Sequence, residues 1–312
     1  MITPALKLEV EKELKGRITT IAPLSAANNA QIYRIVLDNK RVMVAKVAER
    51  GLDTEAFMLH YLKTRSRLIV PSVFYSNEHI IVMEFIETQY GLDDTGQRIA
   101  ADILADLHGI TADTYGLERD TLIGSLRQPN TQTKDWPSFF VEQRLLYMAR
   151  EALKEAKIDS KTMKAIEKLA ARVPDMLKGY AKPSLIHGDV WGGNILACRG
   201  RIAAFLDPAI YYADPEIELA FIKLFSTFTD TFFNRYNDIR PIRAGFFEER
   251  ADFHVRQFAA EHQLEQRLVL GCEADIADRQ SFDTFLRAGR AGCIFGHLQG
   301  QALETGFCNC GQ

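Results

Sequence analysis

The sequence predicts an α+β fold with two lobes, and three observations support this prediction. Apolar and polar residues alternate in short runs through the first ninety residues, a pattern typical of antiparallel strands. Beyond Gly91 the apolar residues recur at helical spacing instead. The chain has 312 residues, which is about twice the usual length of one domain. We therefore expect a small sheet lobe over residues 1–87 and a mainly helical lobe over residues 88–312.

The first lobe is predicted to contain strands interrupted by one helix. Turn residues separate the alternating runs, which cover residues 31–37, 41–47 and 79–86. After Gly51, apolar residues at helical spacing predict a helix. Asp53 or Thr54 is its expected N-cap, because either side chain can accept a hydrogen bond from the first turn.

The second lobe is predicted to be mostly helical. One helix covers residues 99–107, and a second opens at Pro137, which suits the first position of a helix. A third follows Asp159 and is kinked or ended by Pro174. Two short strands, 195–198 and 201–206, are expected to form a hairpin that turns at Arg199 and Gly200.

Composition and charge exclude several classes of protein. Hydrophobic residues make up 47% and charged residues 25% of the chain, as in ordinary globular domains. With 38 basic and 41 acidic side chains and no long run of like charge, we expect no nucleic-acid partner and no membrane partner. The odd count of five cysteines does not suggest a disulfide framework, and the first residues do not resemble a secretory signal. The expected compartment is the cytoplasm, and the oligomeric state stays open.

Residues 271–312 differ from the rest of the chain. They hold four of the five cysteines and seven of the twenty glycines, and their helical spacing is weak. Because a glycine inside a helix costs about 1 kcal/mol, we expect this divergent tail either to pack by close backbone approach or to be poorly ordered.

The segment most informative about chemistry contains Asp189 and, five positions later, Asn194. Protein kinases carry a catalytic base and a metal-binding Asn at this spacing, with a second metal-binding Asp further along the chain. The predicted hairpin would bring Asp207 diagonally beside Asn194, at about 7–8 Å between backbones. Asn and Asp side chains supply the hard oxygen atoms that Mg²⁺ prefers. We therefore predict Asp189 as the base, with Asn194 and Asp207 as magnesium ligands.

A nucleotide site is predicted in the first lobe. Lys46 lies in an apolar strand, where a lysine is unusual, and Glu55 in the following helix is its expected ion-pair partner. A Glu in the first turn of a helix is also favoured by the helix dipole alone. Residues Glu84, Phe85 and Ile86 end the last strand where a kinase hinge would present backbone groups to adenine, although an ordinary buried strand would look the same.

Beyond this spacing, the chain resembles the fructosamine kinase (ketosamine kinase) family within the aminoglycoside-phosphotransferase-like kinases. The likeness extends roughly over residues 23–250. A His-Gly-Asp loop alone would indicate only the wider superfamily. Its combination with several other segments indicates this one family within it. The most specific segments are residues 107–113, 115–117, 123–126, 128–130, Trp136 with Phe139 and Phe140, and the Asp-Pro-Ala-Ile-Tyr-Tyr run at 207–212.

The resemblance implies a protein-kinase-like fold and the ATP-dependent phosphorylation of a sugar hydroxyl on a ketosamine, the rearranged adduct of a sugar with an amine such as lysine. It also implies deglycation, because the phosphorylated sugar becomes labile and leaves. By this resemblance Asp189 matches the base. The other matching positions are the metal ligands Asn194 and Asp207 and the phosphate-positioning pair Lys46 and Glu55. The implied cofactors are ATP and Mg²⁺, and the implied partner is a small-molecule or lysine-linked sugar.

Trp191 matches the aromatic residue that the family places beside the acceptor sugar. A core tryptophan that anchors the loop is the alternative. The chain also departs from the family pattern. The loop at residues 24–30 has none of the usual adjacent glycines, and Thr121 and Arg127 stand where the family favours Asn and Pro.

Three acidic residues, Asp214, Glu216 and Glu218, could attract a cationic amine on the substrate. We favour a structural role, because Asp214 before Pro215 has the pattern of a helix N-cap. For His108 and His187 we also favour a structural role over proton transfer.

Two other functions stay open from the sequence. The chain could phosphorylate another amine-bearing small molecule, such as an aminoglycoside or a choline-like compound. It could also be a nucleotide-binding pseudokinase that regulates a partner, as the glycine-free loop and the divergent tail would allow. The intact set of Asp189, Asn194, Asp207 and Lys46 argues against the second alternative.

Overall fold

The computed structural model describes residues 1–27, 30–177, 179–244 and 246. The predicted tail at 271–312 and four of the five cysteines lie outside these residues. The fifth, Cys198, is half-buried. Within the described part, no helix combines the length and the apolar character needed to cross a membrane.

The first lobe is a five-stranded antiparallel sheet with the order β1-β2-β3-β5-β4. Its elements are helix α1 (Pro4–Leu14), β1 (Ile18–Ala27), β2 (Ala30–Leu37), β3 (Val42–Val47), α2 (Leu52–Arg65), β4 (Val73–Ser76) and β5 (Ile80–Glu84). The strand Val42–Val47 is central, because it pairs with β2 on one side and with β5 on the other. The predicted sheet lobe is therefore confirmed, with two further strands, β1 and β4, at its edges.

Two helix starts in this lobe differ from the sequence-based expectation. Helix α1 was not predicted, because it buries only Val10 and so lacks a strong amphipathic pattern. Its start is nevertheless encoded locally: the Thr3 hydroxyl accepts a hydrogen bond from the Leu6 N–H, and Pro4 follows it. Helix α2 begins at Leu52 after Gly51, so the prediction of Asp53 or Thr54 as N-cap was wrong.

The second lobe is mainly helical, as predicted. Its larger elements are α3 (Asp94–His108), α4 (Trp136–Phe140), which continues through a π-helical turn (Val141–Leu145) into α5 (Leu146–Lys154), then α6 (Ser160–Ala170), α7 (Val173–Met176), α8 (Glu216–Leu224) and α9 (Asp230–Ile239). The short strands are β6 (Gln89–Leu92), β7 (Thr121–Ile123), β8 (Leu126–Gln128), β9 (Ser184–Ile186), β10 (Ile195–Phe205) and β11 (Tyr211–Ala213).

The predicted hairpin lies within β10. Arg199 and Gly200 both have positive φ, which reverses the chain, and the Leu206 N–H donates to the Asn194 carbonyl at 2.8 Å. A hairpin that turns at Arg199 and Gly200 is expected to place Phe205 opposite Asn194, so the residue that bonds to Asn194 lies one position further along the chain. The same strand pairs in parallel with β6, which follows directly after the predicted lobe boundary at residue 87.

Three apolar cores hold these elements. One lies between α1 and the sheet, and another lies within the helical lobe around Trp136 and Phe140. The third joins α2 of the first lobe to α3, α8 and α9 of the second. Burying such a shared set of side chains fixes the relative position of α2 and the helical lobe, which face each other across the cleft described next.

Candidate active site

A cleft lies where the two lobes meet. Both lobes contribute side chains, and the lining includes Lys46, Arg50, Leu52, Glu55, Met58, Leu122, Gly124, Ser125, Asp189, Trp191, Asn194 and Asp207. The structure therefore brings six of the predicted site residues into one cleft: Lys46, Glu55, Asp189, Trp191, Asn194 and Asp207.

The loop after β9 carries Asp189. It turns at Gly188, which has a φ of +89°, and a Cβ atom there would lie 2.1 Å from the Ala209 carbonyl oxygen, so the position requires glycine. A 3₁₀ turn, Gly192–Asn194, then folds Asn194 back. Its Nδ2 donates to the Asp189 carboxylate at 2.7 Å and to the Asp189 carbonyl at 3.0 Å. The five-residue spacing thus produces a direct contact between the predicted base and the predicted metal ligand.

Lys46 lies between two carboxylates. Its Nζ is 2.8 Å from Glu55 Oε2 and 2.9 Å from Asp207 Oδ1. Asp207 follows β10 with a φ of 48°, a strained value for a residue other than glycine and one that is often seen at functional sites. Burial disfavours the ammonium, but the two carboxylates outweigh it and raise the pKa of Lys46, which keeps the side chain charged.

Glu55, one of the two carboxylates that contact Lys46, is buried. Burial raises the pKa of its carboxyl to about 7, although the Lys46 ammonium acts in the opposite direction. Its Oε1 is buried with no hydrogen bond in the structure. The other carboxylate oxygen, Oε2, accepts a hydrogen bond from the Lys46 ammonium. This contact holds the ammonium at a fixed point in the cleft.

The oxygens of Asn194 and Asp207 fit a magnesium ion. Because the Asn194 Nδ2 is used by Asp189, its Oδ1 is the atom that remains to face a metal. No group of three or more His, Cys, Asp or Glu among the described residues could hold a metal ion. Two hard oxygen ligands suit Mg²⁺, which usually keeps several waters and takes its other ligands from phosphates.

The predicted hinge lies apart from this set. None of Glu84, Phe85 and Ile86 lines the cleft described above. The Glu84 carboxylate is turned toward the neighbouring edge strand, where it accepts hydrogen bonds from the Ser72 N–H and hydroxyl at 3.1 and 2.9 Å. Their assignment to adenine binding therefore stays a prediction.

Comparison with known proteins decides the family. The family model described as fructosamine kinase matches residues 4–263 of the chain. The chain belongs to the fructosamine kinase family. Curated relatives agree: the chain is 31% identical over 251 residues to a "Probable ketoamine kinase" of Vibrio parahaemolyticus, a match that covers 77% of this chain and 84% of the relative. It is 33% identical over 216 residues to the chloroplastic protein-ribulosamine 3-kinase of Arabidopsis thaliana, covering 68% and 63% of the two chains.

Solved structures place this family member in a kinase-like fold. A candidate fructosamine-3-kinase of Haemophilus somnus superposes with a TM-score of 0.76 at 25% identity, covering 92% of this chain and 96% of that one. The aminoglycoside phosphotransferase APH(4)-Ia, in a ternary complex with ADP and hygromycin B, superposes with a TM-score of 0.59 at 15% identity and covers 91% and 99%. The expected two-lobed α+β kinase-like fold is confirmed, and the protein is a phosphotransferase.

Trp191 lies in a position that is compatible with both roles weighed from the sequence. The half-buried side chain lines the cleft, and its ring centroid lies 6.2 Å from that of Phe225 in the helical core. The indole is thus anchored by packing while one part of it faces the cleft. Contact with a sugar stays a prediction.

The acidic residues beyond β11 have structural contacts, as favoured from the sequence, but the N-cap of α8 is Pro215 and not the expected Asp214. The Asp214 carboxylate accepts the Glu216 N–H at 3.1 Å, and Arg243 contacts Asp214 and Glu216 at 2.6 and 2.7 Å. Glu218 is buried and accepts hydrogen bonds from the Gly188 N–H at 2.6 Å and from His108 at 2.8 Å. All three carboxylates are thus engaged away from the cleft.

Several cleft residues were missed by sequence reasoning. Arg50, Leu122, Gly124 and Ser125 reach the cleft from the β3–α2 connection and from the β7–β8 hairpin. The segment 123–126 carried a signal as part of the family motif, but nothing local to Arg50 indicates a site. Its position depends on the packing of two lobes that are far apart in sequence.

Proposed function

We propose that this member of the fructosamine kinase family is a ketosamine kinase that uses ATP and Mg²⁺. The observation that carries the proposal is the arrangement in the cleft: Asn194 contacts Asp189 at 2.7 Å, and Lys46 contacts Asp207 at 2.9 Å. A base, a cation for phosphates and two metal-binding oxygens therefore share one site. This is the set of groups that phosphoryl transfer from a nucleotide requires.

In the proposed reaction, Asp189 orients the acceptor hydroxyl and accepts its proton. The hydroxyl oxygen forms a bond to the γ-phosphorus of ATP, and the bond between that phosphorus and the bridging oxygen breaks, which releases ADP. The Lys46 ammonium, held by Glu55, stabilises the negative charge on the phosphate oxygens. Magnesium at Asn194 and Asp207 would supply further charge neutralisation.

Among the residues that the structure describes, the charges of the cleft favour a ketosamine over an aminoglycoside. A polycationic acceptor needs several free carboxylates. In the cleft, Glu55 and Asp207 both contact Lys46, and Asp189 contacts Asn194. Asp214, Glu216 and Glu218 are engaged elsewhere. The likeness to an aminoglycoside phosphotransferase is at 15% identity and concerns the fold alone.

A deglycation role and a cytoplasmic location are part of the same proposal. Phosphorylation makes the sugar of a ketosamine labile, so the amine would be released unmodified. The family relationship supports this role, because the relatives are named as kinases of ketoamines and ribulosamines.

The direct test is ATP turnover with magnesium on fructose-, ribulose- and erythrulose-linked lysines, with an aminoglycoside and choline beside them. We expect turnover on at least one ketosamine and none on the other two acceptors. Turnover on the aminoglycoside or choline alone would overturn the substrate. Nucleotide binding with no turnover on any acceptor would favour the pseudokinase.

A further inference from the structure

Arg50 is an exposed cation at the edge of the cleft with no assigned role. It follows β3 and lines the cleft together with the predicted catalytic residues. Within the described part of the chain, no hydrogen bond or ion pair engages its guanidinium. An arginine held beside a ligand cleft and not neutralised by the protein is a site for an anionic group of the ligand.

The backbone next to Arg50 is fixed by the second lobe. Gly51 has a φ of +90°, and a Cβ atom there would lie 2.7 Å from Leu122 Cδ1, so the chain is pressed against the β7–β8 hairpin. Arg119, just before that hairpin, stacks on the Phe57 ring of α2 at 4.4 Å. These contacts hold the β3–α2 connection, and with it Arg50, beside the hairpin tip.

We expect this part of the cleft to hold the acceptor. The hairpin tip at Gly124 and Ser125 and the Trp191 ring line the same space, whereas the predicted adenine-binding hinge at 84–86 does not. Lys46, the other cation that lines the cleft within the described residues, already lies at Asp207, where the phosphates are expected. Arg50 therefore faces a different group from the one that Lys46 serves.

We infer that Arg50 binds the α-carboxylate of the acceptor when the ketosamine is carried by a free amino acid. This inference rests on the proposed ketosamine kinase function. With the sugar hydroxyl at Asp189, the amino-acid end of the substrate would lie toward the exposed Arg50, which lines the same cleft. A free amino acid carries an α-carboxylate there, but in a protein this group is part of a peptide bond. The planar guanidinium matches a carboxylate with two parallel hydrogen bonds.

The test uses two acceptors that differ only in this charge. They are the fructose adducts at the side-chain amine of Nα-acetyl-lysine, which has a free carboxylate, and of Nα-acetyl-lysine amide, which has none. The wild-type enzyme should show a kcat/KM about five- to tenfold higher for the carboxylate. Arg50→Gln should remove this preference by raising KM for the carboxylate acceptor, and Arg50→Lys should retain part of it. Arg98→Gln, at an exposed arginine of α3 that does not line the cleft, is the matched control and should keep the full preference.

Each contrary outcome has a distinct meaning. Equal kcat/KM for both acceptors in the wild-type enzyme overturns the inference but leaves the ketosamine kinase intact. A rise in KM for ATP in Arg50→Gln, with the acceptor preference kept, shows that Arg50 serves the nucleotide phosphates and also overturns it. Turnover on neither adduct by the wild-type enzyme, with a folded chain by circular dichroism, overturns the proposed function and the inference with it.

Discussion

At the scale of single residues, the loop that carries Asp189 is held by buried groups that do not face the cleft. His187 is fully buried, and its Nδ1 accepts the Asp189 N–H at 3.3 Å. Burial lowers the pKa of the His187 imidazole, although the carboxylates of Glu218 and Asp207 oppose this effect. The neutral ring is therefore the form that supports the backbone of the predicted base.

This burial predicts a pH-dependent stability. A histidine with a lowered pKa takes up a proton on unfolding, so its contribution to stability is present above its ordinary pKa of about 6.5 and is lost as the pH falls below it. The loss reaches about 1.4 kcal/mol per pH unit for one proton. His187→Gln should show a shallower fall in the free energy of unfolding between pH 6.5 and 5 than the wild type, measured by urea denaturation. The exposed His60, changed to Gln, should keep the wild-type slope, and an equal slope in His187→Gln would contradict the account.

At the scale of elements, helix α2 of the first lobe packs against the second lobe and so joins the two. Gly51 at its start packs against Leu122, and the Tyr61 hydroxyl is 3.2 Å from the Tyr212 hydroxyl near its end. Because α2 carries Glu55, the contact between Lys46 and Glu55 depends on the second lobe as well as the first.

Gly51→Ala should weaken this connection. The residue would keep a φ near +90°, which costs about 1–3 kcal/mol without glycine, and the new methyl group would clash with Leu122. We expect the free energy of unfolding to fall by at least that amount and kcat to fall with it. Gly91→Ala, where a Cβ meets nothing within 4 Å, is the control. Equal urea midpoints for the two variants would contradict the predicted role of Gly51.

Helices α3 and α8 support, through Glu218, the loop that carries Asp189. Burial alone would raise the pKa of this carboxyl, but His108 and the loop N–H groups lower it, so the carboxylate is ionised. Glu218→Gln removes the charge and should displace the loop, with an expected loss of about 10²-fold in kcat and a much smaller change in KM for ATP. Glu167→Gln on the exposed face of α6 should have no effect. A normal kcat in Glu218→Gln would show that the loop holds its position without this carboxylate.

The same elements show what sequence reasoning could reach. The placement of Asp189 and Asn194 in one site was predictable because only five residues of loop separate them, and the place of Lys46 was predictable from strand alternation. The direct hydrogen bond between Asp189 and Asn194 was not predicted. The start of α2 was not predictable, since Gly51 is required by the distant Leu122 and not by a capping side chain. Arg50 was missed for the same reason, because its place in the cleft is created only when the lobes pack.

At the scale of the whole molecule, both lobes contribute to one ligand site, so ligand binding should stabilise the entire fold. A non-hydrolysable ATP analogue with magnesium, at 100 times its Kd, should add about 2.7 kcal/mol to the free energy of unfolding. Asn194→Ala, or removal of magnesium with EDTA, should abolish the metal-dependent part of the shift in thermal midpoint. Asn234→Ala, at an exposed position of α9, should leave the shift unchanged. The same shift with and without magnesium would argue against Asn194 and Asp207 as metal ligands.

The central claim is that this cleft transfers a phosphoryl group to a hydroxyl oriented by Asp189. The measurement that tests it most directly is kcat on a fructose-linked lysine with ATP and magnesium, for the wild-type enzyme, Asp189→Asn and the exposed control Asp238→Asn. We predict a loss of about 10²–10⁴-fold in Asp189→Asn, the range for removal of a general base, and wild-type turnover in the control. An unchanged kcat in Asp189→Asn would contradict the account, because the cleft would then carry out the transfer without its predicted base.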